Sequence, residues 1–142
     1  MTVTSHQKLH DVVRKRFNDE FGDEFRIAHD NAPFTQPDDE TWIRWSVLSG
    51  DSFAVSIGIT PRHRHTGIAV AQVFAPAGKG TRDALILADR IKTKFRSTTD
   101  STSVSGNSVV FKTPSISQIG RSGNQWWQIN VSCPYYADEF ST

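Results

Sequence analysis

The stretch Ile68-Ala69-Val70-Ala71-Gln72-Val73-Phe74-Ala75 is apolar on both faces of a strand, broken only by Gln72. Such a strand belongs in the middle of a sheet, with a neighbour on each side and cover above and below. Pro76 ends it, because proline has no N–H to give a ladder. Composition agrees: Val and Ile total 21 against 4 Leu, an excess that favours sheet over helical bundle. With 142 residues, the chain reads as one domain over 1–142, large enough for a core without covalent staples.

Two helices flank this strand. Leu9, Val13 and Phe17, with Val12 beside them, make one apolar stripe on a helix over Ser5–Phe21. Thr4 and Gln7 fit a capping box at its start and Gly22 a stop. A second helix, about 82–96, places Ala84, Ala88, Ile91 and Phe95 on one face, with Thr81 as its cap. Phe25–His29 reads as a short extended piece and Asp30–Glu40 as a loop. Trp42–Leu48 reads as a strand and Ser49-Gly50-Asp51 as the turn of a hairpin. The alternation from Phe53 to Thr60 reads as its second arm. Pro61–Thr66 reads as a basic turn. Ser97–Ser108, rich in Ser and Thr, reads as a mobile loop. Val109–Thr113 and Trp127–Cys133 are strands, Ile116–Asn124 a turn-rich connection, and the segment after Pro134 a loose tail, 137–142 included. Most links between strands are too short for parallel crossovers. The expectation is an α+β fold: a mainly antiparallel four- to five-stranded sheet with two helices packed on one face.

No uncharged run approaches the ~20 residues of a membrane-spanning helix, and Met1–His6 lacks a secretory pattern. A lone Cys133 leaves no internal disulfide, as in a reducing compartment. Net charge is +1, but residues 1–41 carry a net −4 and residues 42–100 a net +5. An acidic start and a basic middle suit self-assembly or contact with nucleic acid as well as a plain solvated surface.

The segment Ala75-Pro76-Ala77-Gly78-Lys79-Gly80-Thr81 lies between a buried strand and a helix start, where phosphate loops sit. It is similar to the glycine-rich loop of adenylate-kinase-like enzymes, yet Val73 stands where that loop needs its first glycine. It therefore reads as a flexed turn, Pro76, Gly78 and Gly80 shaping it and Lys79 exposed. A small nucleotide-binding enzyme using Lys79 is the alternative from another class. His6 and His10, and His63 and His65, lack a third ligand nearby, so no metal is expected. The Arg62–His65 run has no interleaved aromatic residue, which weighs against nucleic acid as its main partner. Cys133 falls on the apolar face of its strand. No catalytic pattern emerges and no cofactor is implied.

The aromatic pattern is unusual. Trp126 falls on the polar face of the last strand and Trp42 alternates with Arg44, Ser46 and Leu48. A second sheet face that carries Trp is covered either by its own chain or by a partner.

Four segments together resemble the phage tail terminators of the lambda-like type. They are Ile27–Phe34 closing in Asn-Ala-Pro-Phe; Trp42-Ile43-Arg44-Trp45-Ser46-Val47; Gly67–Phe74 through Pro76, Gly78 and Gly80 to Ala84, Leu87-Ala88-Asp89 and Phe95; and Gly123–Gln128 followed by Val131 and Pro134. In that family the Pro-x-Gly-x-Gly stretch joins strand to helix. The resemblance implies structural work without catalysis. A ring, typically of six copies, forms on the head-proximal end of the tail tube, stops its growth and docks to the head–tail connector protein. DNA passes through the lumen without specific binding. The partners implied are further copies of the chain, the tail-tube protein and the connector, with no membrane. The place implied is the virion tail, after assembly in the host cytoplasm. A neck or head-completion protein is the nearest alternative. The surface expected to join subunits comprises Arg62, Arg64, Trp42, Arg44 and Trp126, the basic turn of one copy facing the acidic first segment of the next.

Overall fold

A computed structural model describes residues 6–59, 61–96, 99–104 and 107–140. The order is α1 (His6–Phe21), β1 (Arg26–His29), β2 (Trp42–Ala54), β3 (Arg62–Pro76), α2 (Arg82–Phe95), β4 (Thr99–Val104), β5 (Asn107–Phe111), β6 (Ser115–Ser122) and β7 (Trp126–Phe140). The strands form one seven-stranded sheet in the order β1-β2-β3-β7-β5-β4, with β6 also on β7. β1 runs parallel to β2; every other pairing is antiparallel. The sheet is thus wider than expected and mixed at one edge. The α+β class and the two helices agree with the sequence, and both helices pack into one core with the sheet.

The long run of apolar residues is the middle of β3, which pairs with β2 on one side and with β7 on the other. Odd-numbered residues of β3 face the helices. Ala69, Ala71, Val73 and Ala75 join Leu9, Val13, Phe17 and Phe21 of α1 and Ala84, Leu87, Ala88, Ile91 and Phe95 of α2 in one core. Small alanines on the strand leave room for large rings. The Phe17 ring stacks on Trp45, centroids 4.0 Å apart and 8° from parallel. Phe95 bridges Trp45 at 5.4 Å to Phe111 at 5.1 Å. Each such pair adds about 0.5–1.5 kcal/mol beyond the area it buries. The Arg16 guanidinium lies over Phe95 and Phe111 and donates through Nη2 to the Lys94 carbonyl at 2.9 Å. It thereby satisfies a carbonyl in the last turn of α2.

Several local readings are corrected. Ser49-Gly50-Asp51 does not turn the chain. β2 runs through it with a bulge between Ser49 and Ser52. A Cβ on Gly50 would meet Thr66 Oγ1 at 2.7 Å, and that hydroxyl donates to the Asp51 carbonyl at 2.7 Å. The glycine is needed for close approach. Pro61–Thr66 is not a turn either, since β3 begins at Arg62. Ser97–Ser108 is not all loop: β4 and β5 pair across it, while positions 97, 98, 105 and 106 lie outside the described residues. Ile116–Asn124 contains most of β6. Its register slips between Gln118 and Gly120, where Gly120 has φ +97°.

β7 continues through Pro134 to Phe140, where a loose tail was expected, and only 141 and 142 of that tail lie outside the described residues. The Pro134 carbonyl accepts the Lys112 N–H at 2.9 Å. Its missing N–H therefore falls at the junction where β6 gives way to β5, so the ladder loses nothing. Thr81 stands at the N-cap of α2 but makes no side-chain cap bond; its carbonyl accepts the Leu85 N–H at 3.0 Å. Thr4 lies outside the described residues.

Gly67 and Tyr135 are register partners, and a Cβ at Gly67 would run into the Tyr135 ring and the Leu48 carbonyl. Gly67→Val is expected to cost about 2–3 kcal/mol in urea unfolding, because ring and strand must both give way. Burial pushes the Cys133 thiol up to about 12 from 9.0. Its neutral form is favoured by the fold, so this contribution to stability is full below pH 9.0 and is lost as pH rises towards 12. Ellman's reagent is expected to leave Cys133 untouched in the native protein at pH 8 and to react in urea. Rapid reaction of folded protein would contradict the buried placement.

Candidate assembly surface

The second face of the sheet carries the even-numbered residues of β3 and β7, and those of β2 as far as its bulge, beyond which Phe53 lies opposite Arg64. At one end, Trp42 stacks on Phe74 with centroids 4.3 Å apart and meets the edge of Trp126 at 6.1 Å. The loop between β1 and β2 folds over them. Phe34 lies 5.3 Å from Trp42 and Pro37 is buried. Asn31 starts that loop with φ +51°, a conformation asparagine tolerates. Asp30 ties it to β2, accepting from Ser46 Oγ at 3.0 Å and the Val47 N–H at 3.1 Å. Trp42 and Trp126 are thus only 3% and 6% exposed. Of the two covers open from sequence, the chain's own loop is the one seen, and neither indole is presented to a partner. Arg44, also expected at the contact, is exposed, its guanidinium 5.7 Å from the Trp42 ring and 5.6 Å from the Phe74 ring.

The other end of the sheet is different. From Leu48 to Ala54, β2 is exposed. Its pairing with β1 stops at Trp45, so among the described residues this stretch has a free outer edge. β2 and β3 run on together, with β7 still paired to β3 as far as Arg62 and Phe140, and their connection projects beyond the sheet as the tip of an arm. The arm is closed by the Val55 N–H to the Arg62 carbonyl at 2.8 Å and the Arg62 N–H to Ser56 Oγ at 2.6 Å. Ser52 Oγ and His65 Nδ1 add a bond at 2.7 Å. Ile57 and Ile59 at the tip are fully exposed, at 104% and 101%. From sequence they belong to a half-buried strand. The alternation is real, but it says nothing about where the supporting core ends. Gly58, with φ +140°, and Pro61 are the local signals of a tip.

Arg62 and Arg64 lie on one face of this arm with Asp138 of β7. Arg64 grips the carboxylate with two bonds, Nε at 2.8 Å and Nη2 at 3.1 Å, and lies 4.1 Å from the Tyr136 ring centre. Arg62 Nε is 3.5 Å from the same carboxylate. The hydrogen bond to Asp138 raises the Arg64 pKa. Two guanidinium groups share this one carboxylate. The opposite end holds Asp38, Asp39 and Glu40. Arg26 pairs with Glu40 at 3.1 Å and Lys79 with Asp39 at 3.4 Å. Three anions against two cations leave a net negative charge. Thirteen residues of β2 separate the two ends, about 40 Å at the rise of a strand.

The strand-to-helix loop from Pro76 to Thr81 places Gly78 and Gly80 at φ +87° and +80°. The Ala77 N–H is taken by the Gln125 carbonyl at 2.8 Å. The hollow beside Lys79 measures only about 190 Å³ and is lined by Asp39, Glu40 and Asp83. Three carboxylates around one lysine oppose a phosphate, so the geometry does not support the nucleotide alternative. Among the described residues no group of three His, Cys, Asp or Glu is placed to hold a metal.

Ten chains of solved structure match this one. One, known by a sequence label alone, superposes with a TM-score of 0.75 at 21% identity, covering 97% of this chain and 98% of that one; the likeness is one of fold. A search of curated proteins found no match. The family model described as phage tail terminator protein matches residues 8–135, and the chain belongs to that family, whose members are structural proteins of the phage tail.

Phe34→Ala is expected to open the cover over Trp42. It should cost about 1–2 kcal/mol, less than a fully buried Phe, and shift tryptophan emission to the red. An unchanged spectrum would show that something else covers the indoles.

Proposed function

We propose that this chain is the stopper of a tail tube. Copies, six as the resemblance implies, close into a ring on the head-proximal end of the finished tube. The ring ends tube growth and offers the surface on which the head–tail connector docks. The partners are further copies of the chain, the tail-tube protein and the connector; DNA passes through the lumen without specific contact. The chain is assembled in the host cytoplasm and ends in the virion tail. The observation that carries the reading is membership of the terminator family over residues 8–135.

Physical support comes from the two ends of the sheet. A contact between unlike surfaces, repeated around an axis, makes a closed ring. The end bearing Asp38, Asp39 and Glu40 presents clustered carboxylates, and the arm presents the neighbouring guanidinium groups of Arg62 and Arg64. Such ends attract head to tail and repel like to like. Asp138 holds the arginines in place, so little side-chain freedom is lost on contact.

Electron microscopy of phage made without this protein tests the reading. Tubes of uncontrolled length, or tails unable to join heads, are expected; normal tails reject it. Tails of normal length with the protein found on the head would mark a neck protein instead. Arg62→Glu with Arg64→Glu is expected to weaken ring assembly about tenfold or more. It should also abolish the loss of assembly that rising salt causes in the natural chain. An unchanged ring would release these two arginines from the contact.

A further inference from the structure

Six large apolar side chains are exposed among the described residues, and four of them, Leu48, Phe53, Ile57 and Ile59, lie on the β2–β3 arm. The tip pair are fully exposed, just beyond the hydrogen bonds that close the arm at Val55, Ser56 and Arg62. A fifth, Ile86, lines an open groove of about 450 Å³ between α1 and α2, with Glu20, Asp89, Arg90, Thr93 and Lys94 around it. We propose that the tip of the arm, Ile57 and Ile59, seats in this groove on a second copy of the chain.

The occupant follows from the geometry. Phe95, at the end of α2, packs on Trp45, partway along β2. Ile86 lies towards the start of α2, beyond Pro76, at the end of the sheet away from the arm. Pairing up to Ala54 and His63 carries the tip away from the groove of its own chain. The chemistry matches nonetheless. Most of the exposed groove lining is apolar, and its volume admits branched aliphatic side chains. Its charges largely cancel: Lys94 pairs with Glu20 at 3.4 Å and Arg90 with Glu24 at 2.6 Å. Among the described residues Asp89 forms no ion pair, and Arg62 stands at the base of the tip, where it shares the Asp138 carboxylate with Arg64. Tip and groove are different surfaces of one molecule, so their contact is heterologous and repeats from copy to copy. The inference rests on the ring reading only for closure of that repeat.

Disulfide trapping tests it on the full chain. Ile57→Cys and Ile86→Cys variants are made separately, mixed and oxidised at up to millimolar concentration; native Cys133 is buried and does not compete. A covalent pair is expected in the mixture and not in either variant alone, and the double variant should form a ladder of multimers. No cross-link in the mixture overturns the proposal, as does a tip-to-tip link in Ile57→Cys alone. A stronger link of Ile57→Cys with Ile119→Cys on β6 also overturns it. In addition, Ile57→Ser with Ile59→Ser is expected to leave Tm unchanged and weaken self-association about tenfold or more; unchanged association overturns it. A 57–86 link found with normal tails in phage lacking the protein would keep the contact and reject the stopper. Uncontrolled tails without that link would reject the contact alone.

Discussion

Fifteen consecutive residue pairs join β3 to β7, from Arg62 with Phe140 to Pro76 with Trp126. Everything else in the fold is fastened to this ladder. β2 adds to the far side of β3, and β5 and β6 share the far side of β7 end to end. Two central strands buried on one face need a continuous cover, and α1 and α2 provide it. The close fit depends on small strand residues beneath large helix-borne rings, as at Ala71 beside the stacked Phe17 and Trp45.

The ladder is longer than the cover. At one end the β1–β2 loop shields Trp42, Phe74 and Trp126, which with Ala28 form a second buried cluster. Towards the middle the second face turns polar, with Arg44, Gln72, Gln128 and Asn130 hydrogen-bonded among themselves. At the far end the strands run on without helices or loop above them. Backbone pairing and the Asp138 clamp hold that extension in shape.

Much of this was legible in the residues. The apolar stripe Leu9, Val13, Phe17 and the stripe Ala84, Ala88, Ile91, Phe95 mark helices that the structure places at His6–Phe21 and Arg82–Phe95. Their period is local, so it survives without knowledge of the rest. The central strand was equally clear, since no other setting suits a run that is apolar on both sides. Strands short of apolar residues were not legible. β4 and β6 are built largely from Ser, Thr, Gly and Gln, and their pairing comes from strands already in place. Pro134 and Ser49-Gly50-Asp51 carry the local marks of a break. The first is spared because its missing donor faces a junction, the second because a bulge absorbs it.

The surface divides along the same line. The residues alone determined which positions alternate, that Trp42 and Trp126 each fall on the polar face of their own strand, and that acidic and basic residues are segregated along the chain. Only the tertiary structure decided that Phe34 covers those indoles, that Asp138 clamps Arg62 and Arg64, and that Ile57 and Ile59 stand clear of any core. The reason is range. Periodicity is set by backbone geometry over a few residues. Whether a side chain meets solvent or a partner depends on where strands distant in sequence begin and end against one another.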